Sequence, residues 1–262
     1  MKLSRQLTVG LASLCVMLAF AYPAACQQQD GAAEAQITPD AEPDNRQGCD
    51  QKDRAYVAFL ACTRLLMAPE LDNAQKVRIT ERRAQASLVL FYFSEAAEDF
   101  GYVLAAEPDN TEARKGRAEA LSENGNFKEA ADDWAMLASK RSDDIAARIN
   151  LGKNLYAAGL YEKSAAAYQE AVALDGKNAV ALVGLAQASE MVGNRETSDQ
   201  SLAAALKLNP ENTAALMAKG EIAERRGDKQ VAIESYMLSL KANGMQVKPR
   251  HALQRLGVET PP

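Results

Sequence analysis

The stretch IAARINLGKNLYAAGLYEKSAAAYQEAVALDGKN, residues 145–178, decides the fold. It reads as two helical runs around a break at Gly159, with a second stop at Asp175-Gly176. A glycine ends a helix because it alone enters the left-handed cap without strain. The same pattern returns every 34 residues with no gap, in units 77–110, 111–144, 145–178, 179–212 and 213–246. A fixed period of this length marks stacked pairs of helices.

Aligning the five units produces columns with physical meaning. Unit position 8 is small throughout: Ala84, Ala118, Gly152, Ala186, Gly220. Position 20 is small as well: Ala96, Ala130, Ser164, Ser198, Ala232. Small residues at these two places let the helices of one unit approach closely. Position 24 is large in every unit (Phe100, Trp134, Tyr168, Leu202, Tyr236), which fills the space between one unit and the next. Position 15 is Gly125, Gly159, Gly193 and Gly227 in four units and Phe91 in the first. Position 32 holds Pro108, Ser142, Gly176, Pro210 and Gly244, all suited to a turn.

Composition agrees with an all-α reading. The 262 residues are 47% hydrophobic but only 6% aromatic, because alanine, the best helix former, supplies 50 of them. Function classes fall away for want of residues. His251, the single histidine, stands beside the last helix without partner chemistry, which argues against a histidine-based triad, and a multi-histidine metal site cannot form. A formal charge of −5 argues against tracking nucleic-acid phosphates. No phosphate-binding glycine loop, nucleophile elbow or zinc spacing occurs, so the sequence predicts no catalytic residue, no cofactor and no metal.

These columns resemble the tetratricopeptide repeat family. Leu151-Gly152, Tyr161, Tyr168 and Ala171 stand in that family's positions in the unit 145–178. The resemblance implies a right-handed α-solenoid of antiparallel helix pairs, with a concave face lined by first helices that binds a peptide or helix of another protein. The same pattern extends outward. Residues 49–76 read as an N-terminal half-repeat, with a helix over 53–67 whose Cys62 occupies position 24. Residues 247–262 read as a C-terminal capping helix, over 249–256, and a tail.

On the concave face the resemblance selects Lys115, Ile149, Asn150, Lys153, Tyr156, Val183, Gln187, Met191, Met217 and Glu221 as the partner-binding groove. Its centre reads as apolar, through Ile149, Tyr156, Val183, Met191 and Met217, with charge toward the ends. That distribution suits a protein partner. Lys115 and Asn150 match two positions of the family's carboxylate clamp. Glu119 stands where a neutral residue is expected and would repel a carboxylate, so that specificity is rejected. Arg114 and Arg117 fall at usually apolar positions and need partners, with Glu112 or Asp133 in reach.

The N-terminal part reads as an address. Residues 1–26 have the basic start (Lys2, Arg5) and the apolar stretch, residues 7–21, of a signal peptide. Ala19-Phe20-Ala21 fits ordinary cleavage. Ala24-Ala25-Cys26 resembles the end of a bacterial lipoprotein box, with Cys26 as the lipidated residue, although Pro23 stands where that box has Leu. Residues 27–48 are polar and acidic and read as a disordered tether. Cys49 and Cys62 can pair in an oxidising compartment, pinning the loop before the half-repeat. The function expected is therefore a non-enzymatic interaction scaffold, exported to the periplasm and tethered to the outer membrane in the lipoprotein case. The alternative is a self-associating structural or envelope-assembly lipoprotein. Oligomeric state is left open.

Overall fold

The computed structural model describes residues 45–259, so the expected signal peptide, Cys26, most of the expected tether and the last three residues of the expected C-terminal tail lie outside the described residues. The described residues form helices and connecting turns, with no strand among them. A short helix α1 (Asn45–Cys49) leads into α2 (Ala55–Leu66). Five antiparallel pairs follow: α3 (Asn73–Val89) with α4 (Phe93–Ala106), α5 (Thr111–Glu123) with α6 (Phe127–Lys140), and α7 (Ile145–Ala157) with α8 (Tyr161–Leu174). Then come α9 (Ala179–Met191) with α10 (Arg195–Leu208), and α11 (Thr213–Arg226) with α12 (Lys229–Ala242). A last helix, α13 (Val247–Arg255), packs on α12. Each helix packs on the next in the chain, which is the order of an all-α solenoid.

Helix boundaries follow from local chemistry. Asn110, Asp144, Asn178 and Asn212 close successive units, and each side chain accepts from the backbone N–H three residues on, at 2.9, 2.9, 3.1 and 3.0 Å. Such caps stabilise a helix by about 1 kcal/mol each. Asp72 caps α3 in the same way, in a reciprocal box with Gln75. The turn inside each pair passes through a left-handed residue: Gly125, Gly159, Gly193 and Gly227 have φ between 75° and 85°. The first unit makes the same turn with Phe91 at φ 61°, the one non-glycine residue with positive φ among the described residues. A side chain costs about 1–2 kcal/mol in that conformation.

The large residue of position 24 is the wedge between units. Tyr168 lies against both its own unit and the next. A Cβ placed on Gly184 would sit 2.3 Å from its ring, so only glycine lets α9 close on it. Buried alanines surround these wedges, including Ala84, Ala118, Ala186 and Ala232.

The N-terminal end departs from expectation. Residues 45–48, assigned to the tether, belong to α1, with Gly48 and Cys49 buried. The cause is covalent. Cys49 is disulfide-bonded to Cys62 of α2, with Cα atoms 4.8 Å apart, and both sulfurs sit in a small core with Ala61. The crosslink orders a segment whose composition alone could not bury enough surface to fold.

Two arginines, Arg114 buried and Arg117 half-buried, are explained by one acid. Asp133 of α6 accepts from Arg117 Nε and Nη2, both at 2.7 Å, and from Arg114 Nη1 at 3.1 Å. Arg114 Nη2 also donates to the Pro108 carbonyl at 2.6 Å. Glu112, the other partner considered, makes no such bond. Unit 1 repeats the device: Arg83 donates to both oxygens of Asp99, at 2.7 and 2.8 Å. Units 3 and 4 have Leu151 and Leu185 where Arg83 and Arg117 stand, so the first two units join their helices by ion pairs at a place where the third and fourth use apolar packing. The carboxylate of Asp133 holds the Arg117 guanidinium above its ordinary pKa.

Candidate functional site

The first helices of successive units touch: α3 with α5, α7 with α9, and α9 with α11. They therefore form the inner face of the stack. The exception is α5 and α7, which approach each other least. The residue at unit position 6 explains this. It is Gly116, Gly184 and Ala218 where the first helices close, and Asn150 in α7. Asn150 together with the indole of Trp134 is too large for the same approach.

The gap becomes a depression of about 350 Å³. Glu119, Ser122 and Glu123 of α5 line one side, and Asn150, Lys153 and Asn154 of α7 the other. Phe127 and Trp134 of α6 also line it, Trp134 being buried. Ser122 Oγ donates to Asn154 Oδ1 at 2.9 Å, bridging α5 and α7. Asn154 Nδ2 donates to the Asn150 carbonyl at 2.9 Å. The Trp134 Nε1–H is buried with no acceptor among the described residues. The Lys153 ammonium and the Asn150 side-chain amide make no bond to a described residue either. The depression thus presents the Asn150 amide and the Lys153 ammonium on the α7 side and two carboxylates on the α5 side, with the indole N–H buried beneath its surface. That set matches a polypeptide segment, which carries both acceptors and donors along its backbone. Lys115 stands beside it, exposed and paired with Glu119 at 3.9 Å.

A second, shallow hollow gathers Tyr156, Gln187, Met191 and Glu221 with Glu190 and Arg225. Gln187 Nε2 donates to Glu221 Oε2 at 3.3 Å, so these two groove residues link α9 to α11. Burial, with the nearby charge of Glu221, holds the Tyr156 hydroxyl above its ordinary pKa, and Arg225 opposes this. Glu190 turns inward. It takes two bonds from Arg226 of α11, with Arg226 also reaching Asp199 of α10 at 2.8 Å. The Arg226 hydrogen bonds hold the Glu190 carboxyl below its usual range.

The expected apolar centre is corrected. Val183 is only 8% exposed and belongs to the core, packed with Leu182, Leu202 and Ile222, because α9 closes on both of its neighbouring first helices. Ile149 and Tyr156 lean on the core around Tyr168, and Met217 on the core around Tyr236. Of the expected groove residues Lys115, Lys153 and Glu221 are exposed, whereas Asn150, Gln187, Ile149, Tyr156, Met191 and Met217 are half-buried. Sequence reasoning placed Glu123 on this face but did not pick out Trp134 or Asn154. The large residue at position 24 followed by a non-glycine at position 6 was the available signal.

Comparison with known proteins agrees with this architecture. Sequence profiles described as tetratricopeptide repeat match residues 93–133 and 192–246. The chain carries tetratricopeptide repeats over these stretches. A thermophilic repeat protein of this kind from Thermus thermophilus superposes with a TM-score of 0.54 at 17% identity, over 69% of this chain and 98% of that one. The MamA RS-1 ArsTM double mutant gives 0.57 at 19%, over 66% and 97%. A further MamA crystal structure gives 0.56 at 16%, over 72% and 100%. At such identities the likeness is one of fold. No curated protein matches the chain.

Proposed function

We propose that this protein is a non-enzymatic scaffold of the bacterial cell envelope that holds a segment of another protein along the first helices of its repeats. The observation that carries the reading is the depression between α5 and α7, where the Asn150 amide and the Lys153 ammonium, without partners among the described residues, line the wall opposite Glu119 and Glu123. A polypeptide backbone supplies both the carbonyl oxygens and the N–H groups that such donors and carboxylates pair with. Export to the periplasm is supported by the leader-like residues 1–26 and by the Cys49–Cys62 pair, a bond that persists in oxidising compartments. Lipidation of Cys26 is the anchoring step in this reading.

The test compares variants of the full chain in crosslinked cells. Asn150→Ala with Lys153→Glu loses the partner recovered with the unaltered chain, while Lys163→Glu, exposed on α8, keeps it. Equal recovery by both variants contradicts the groove reading.

A further inference from the structure

We propose that the partner segment places an arginine side chain in the depression between α5 and α7, held by Glu119 and Glu123 against the ring of Phe127. This rests on the groove reading and names the chemistry that the groove selects. Glu119 and Glu123 stand one turn apart on α5 and line the same wall. Like charges at that spacing repel. Glu119 has only a 3.9 Å contact with exposed Lys115, and Glu123 makes no bond to a described residue. Glu123 is also the last residue of α5, whose final turn holds no basic residue. The negative end of the helix dipole disfavours an acid there and favours a cation.

The array itself shows which cation suits such a site. Of the first helices, α5, α9 and α11 carry a glutamate in the final turn: Glu123, Glu190 and Glu224. Glu190 takes two bonds from Arg226 of α11, and Glu224 takes two from Arg255 of the capping helix α13. Each of these acids is thus met by a guanidinium from an element further along the chain. Glu123 faces α7 where the two first helices approach each other least, and no arginine lines the depression. An arginine of the partner supplies there what the array supplies to Glu190 and Glu224. The lining carries two carboxylates against one ammonium, Lys153, so its charge favours a cation. The ring of half-buried Phe127 lies in the same lining. A guanidinium pairs bidentately with a carboxylate and stacks on an aromatic face, whereas a lysine ammonium is a point charge.

The probe is a display library of random peptides about nine residues long, selected on the chain from Gln27 onward, which keeps every described residue. Arginine is expected to be enriched at one peptide position. Trp134, the chain's only tryptophan, lines the depression, and its emission reports the Kd of each selected peptide. Glu119→Gln with Glu123→Gln is expected to weaken the best peptide about tenfold, and so is glutamine in place of the peptide's arginine. The two changes together are expected to cost little more than either alone, because they remove the same contact. Glu162→Gln with Glu196→Gln, exposed on the second helices α8 and α10, is expected to leave Kd unchanged. Absence of arginine enrichment, additive losses, or an equal loss in this control pair each overturns the proposal. Peptides that crosslink from Lys153 with no need for arginine fail this proposal alone, whereas a cellular partner that does not depend on Asn150 and Lys153 fails the groove reading.

Discussion

Replacing Asp133 by alanine is predicted to be among the most destabilising single changes in the array. The carboxylate is 2% exposed and accepts three charged hydrogen bonds, and Arg114 beside it is 5% exposed. Arg117 is half-buried and can swing toward solvent. Arg114 cannot do so without breaking its bond to the Pro108 carbonyl. Removing one partner of a buried pair costs about 3–5 kcal/mol, because the remaining charge is left uncompensated. For an array of this size that is roughly 6–20 °C in Tm. The triple replacement Arg114→Leu, Arg117→Leu and Asp133→Ala combines apolar residues that units 3 and 4 use separately at these places, Leu151 and Ala167 in unit 3 (with Arg148) and Leu182 and Leu185 in unit 4 (with Ser201). It is predicted to match or exceed wild-type stability by up to about 4 kcal/mol. Urea unfolding followed by helix circular dichroism, with the emission of Trp134 as a local reporter, measures both. Trp134 is the chain's only tryptophan and adjoins Asp133. An alanine variant within about 1 kcal/mol of wild type refutes the argument, as does a triple variant weaker than the single one.

Phe91→Gly is predicted to raise stability by about 0.5–1 kcal/mol, the relief of left-handed strain exceeding the entropy glycine adds to the unfolded chain; a lower urea midpoint counts against this. Gly184→Ala is predicted to cost about 1–3 kcal/mol, because its Cβ meets the Tyr168 ring, while equal melting curves contradict the wedge. Reducing the Cys49–Cys62 bond is predicted to cost about 3 kcal/mol, expressed locally as faster amide exchange in α2 and not in α11. The Glu190 carboxyl has its folded pKa lowered, first by the Arg226 hydrogen bonds. Its contribution is therefore complete above its ordinary value near about 4.3 and is lost as pH falls through the lowered one. The urea midpoint of wild type should drop across that acid window, and that of Glu190→Gln should drop less. Parallel curves rule out this contribution.

The repeat was legible because it is written in residue size and turn chemistry. Gly125, Gly159, Gly193 and Gly227 mark the inner turns, and the column from Phe100 to Tyr236 marks the wedges. Both are local requirements that recur with the period. The groove was less legible, because exposure there depends on how far one first helix stands from the next. Val183 has the spacing of a lining residue and becomes core where Gly184 lets α9 close on Tyr168. Asn150 was read only as a ligand contact, yet its side chain also props α7 away from α5 and creates the depression. At the N-terminal end, the composition of residues 45–48 indicates a tether, and a crosslink formed with a residue 13 positions on from Cys49 overrides it. The ion pairs of the first two units were half visible. Arg114 and Arg117 stand out as charges at apolar positions, whereas the choice of Asp133 over Glu112 depends on which face of the neighbouring helix turns inward.

The central claim is that a partner protein lies along the first helices, over the depression between α5 and α7. Site-specific photo-crosslinking in intact cells tests it most directly, with the reactive residue placed in turn at Lys153, at Gln187 and at Lys163 on the second helix α8. The account predicts one discrete adduct shared by the Lys153 and Gln187 positions and absent from Lys163. Adducts arising from Lys163 with none from Lys153 contradict it.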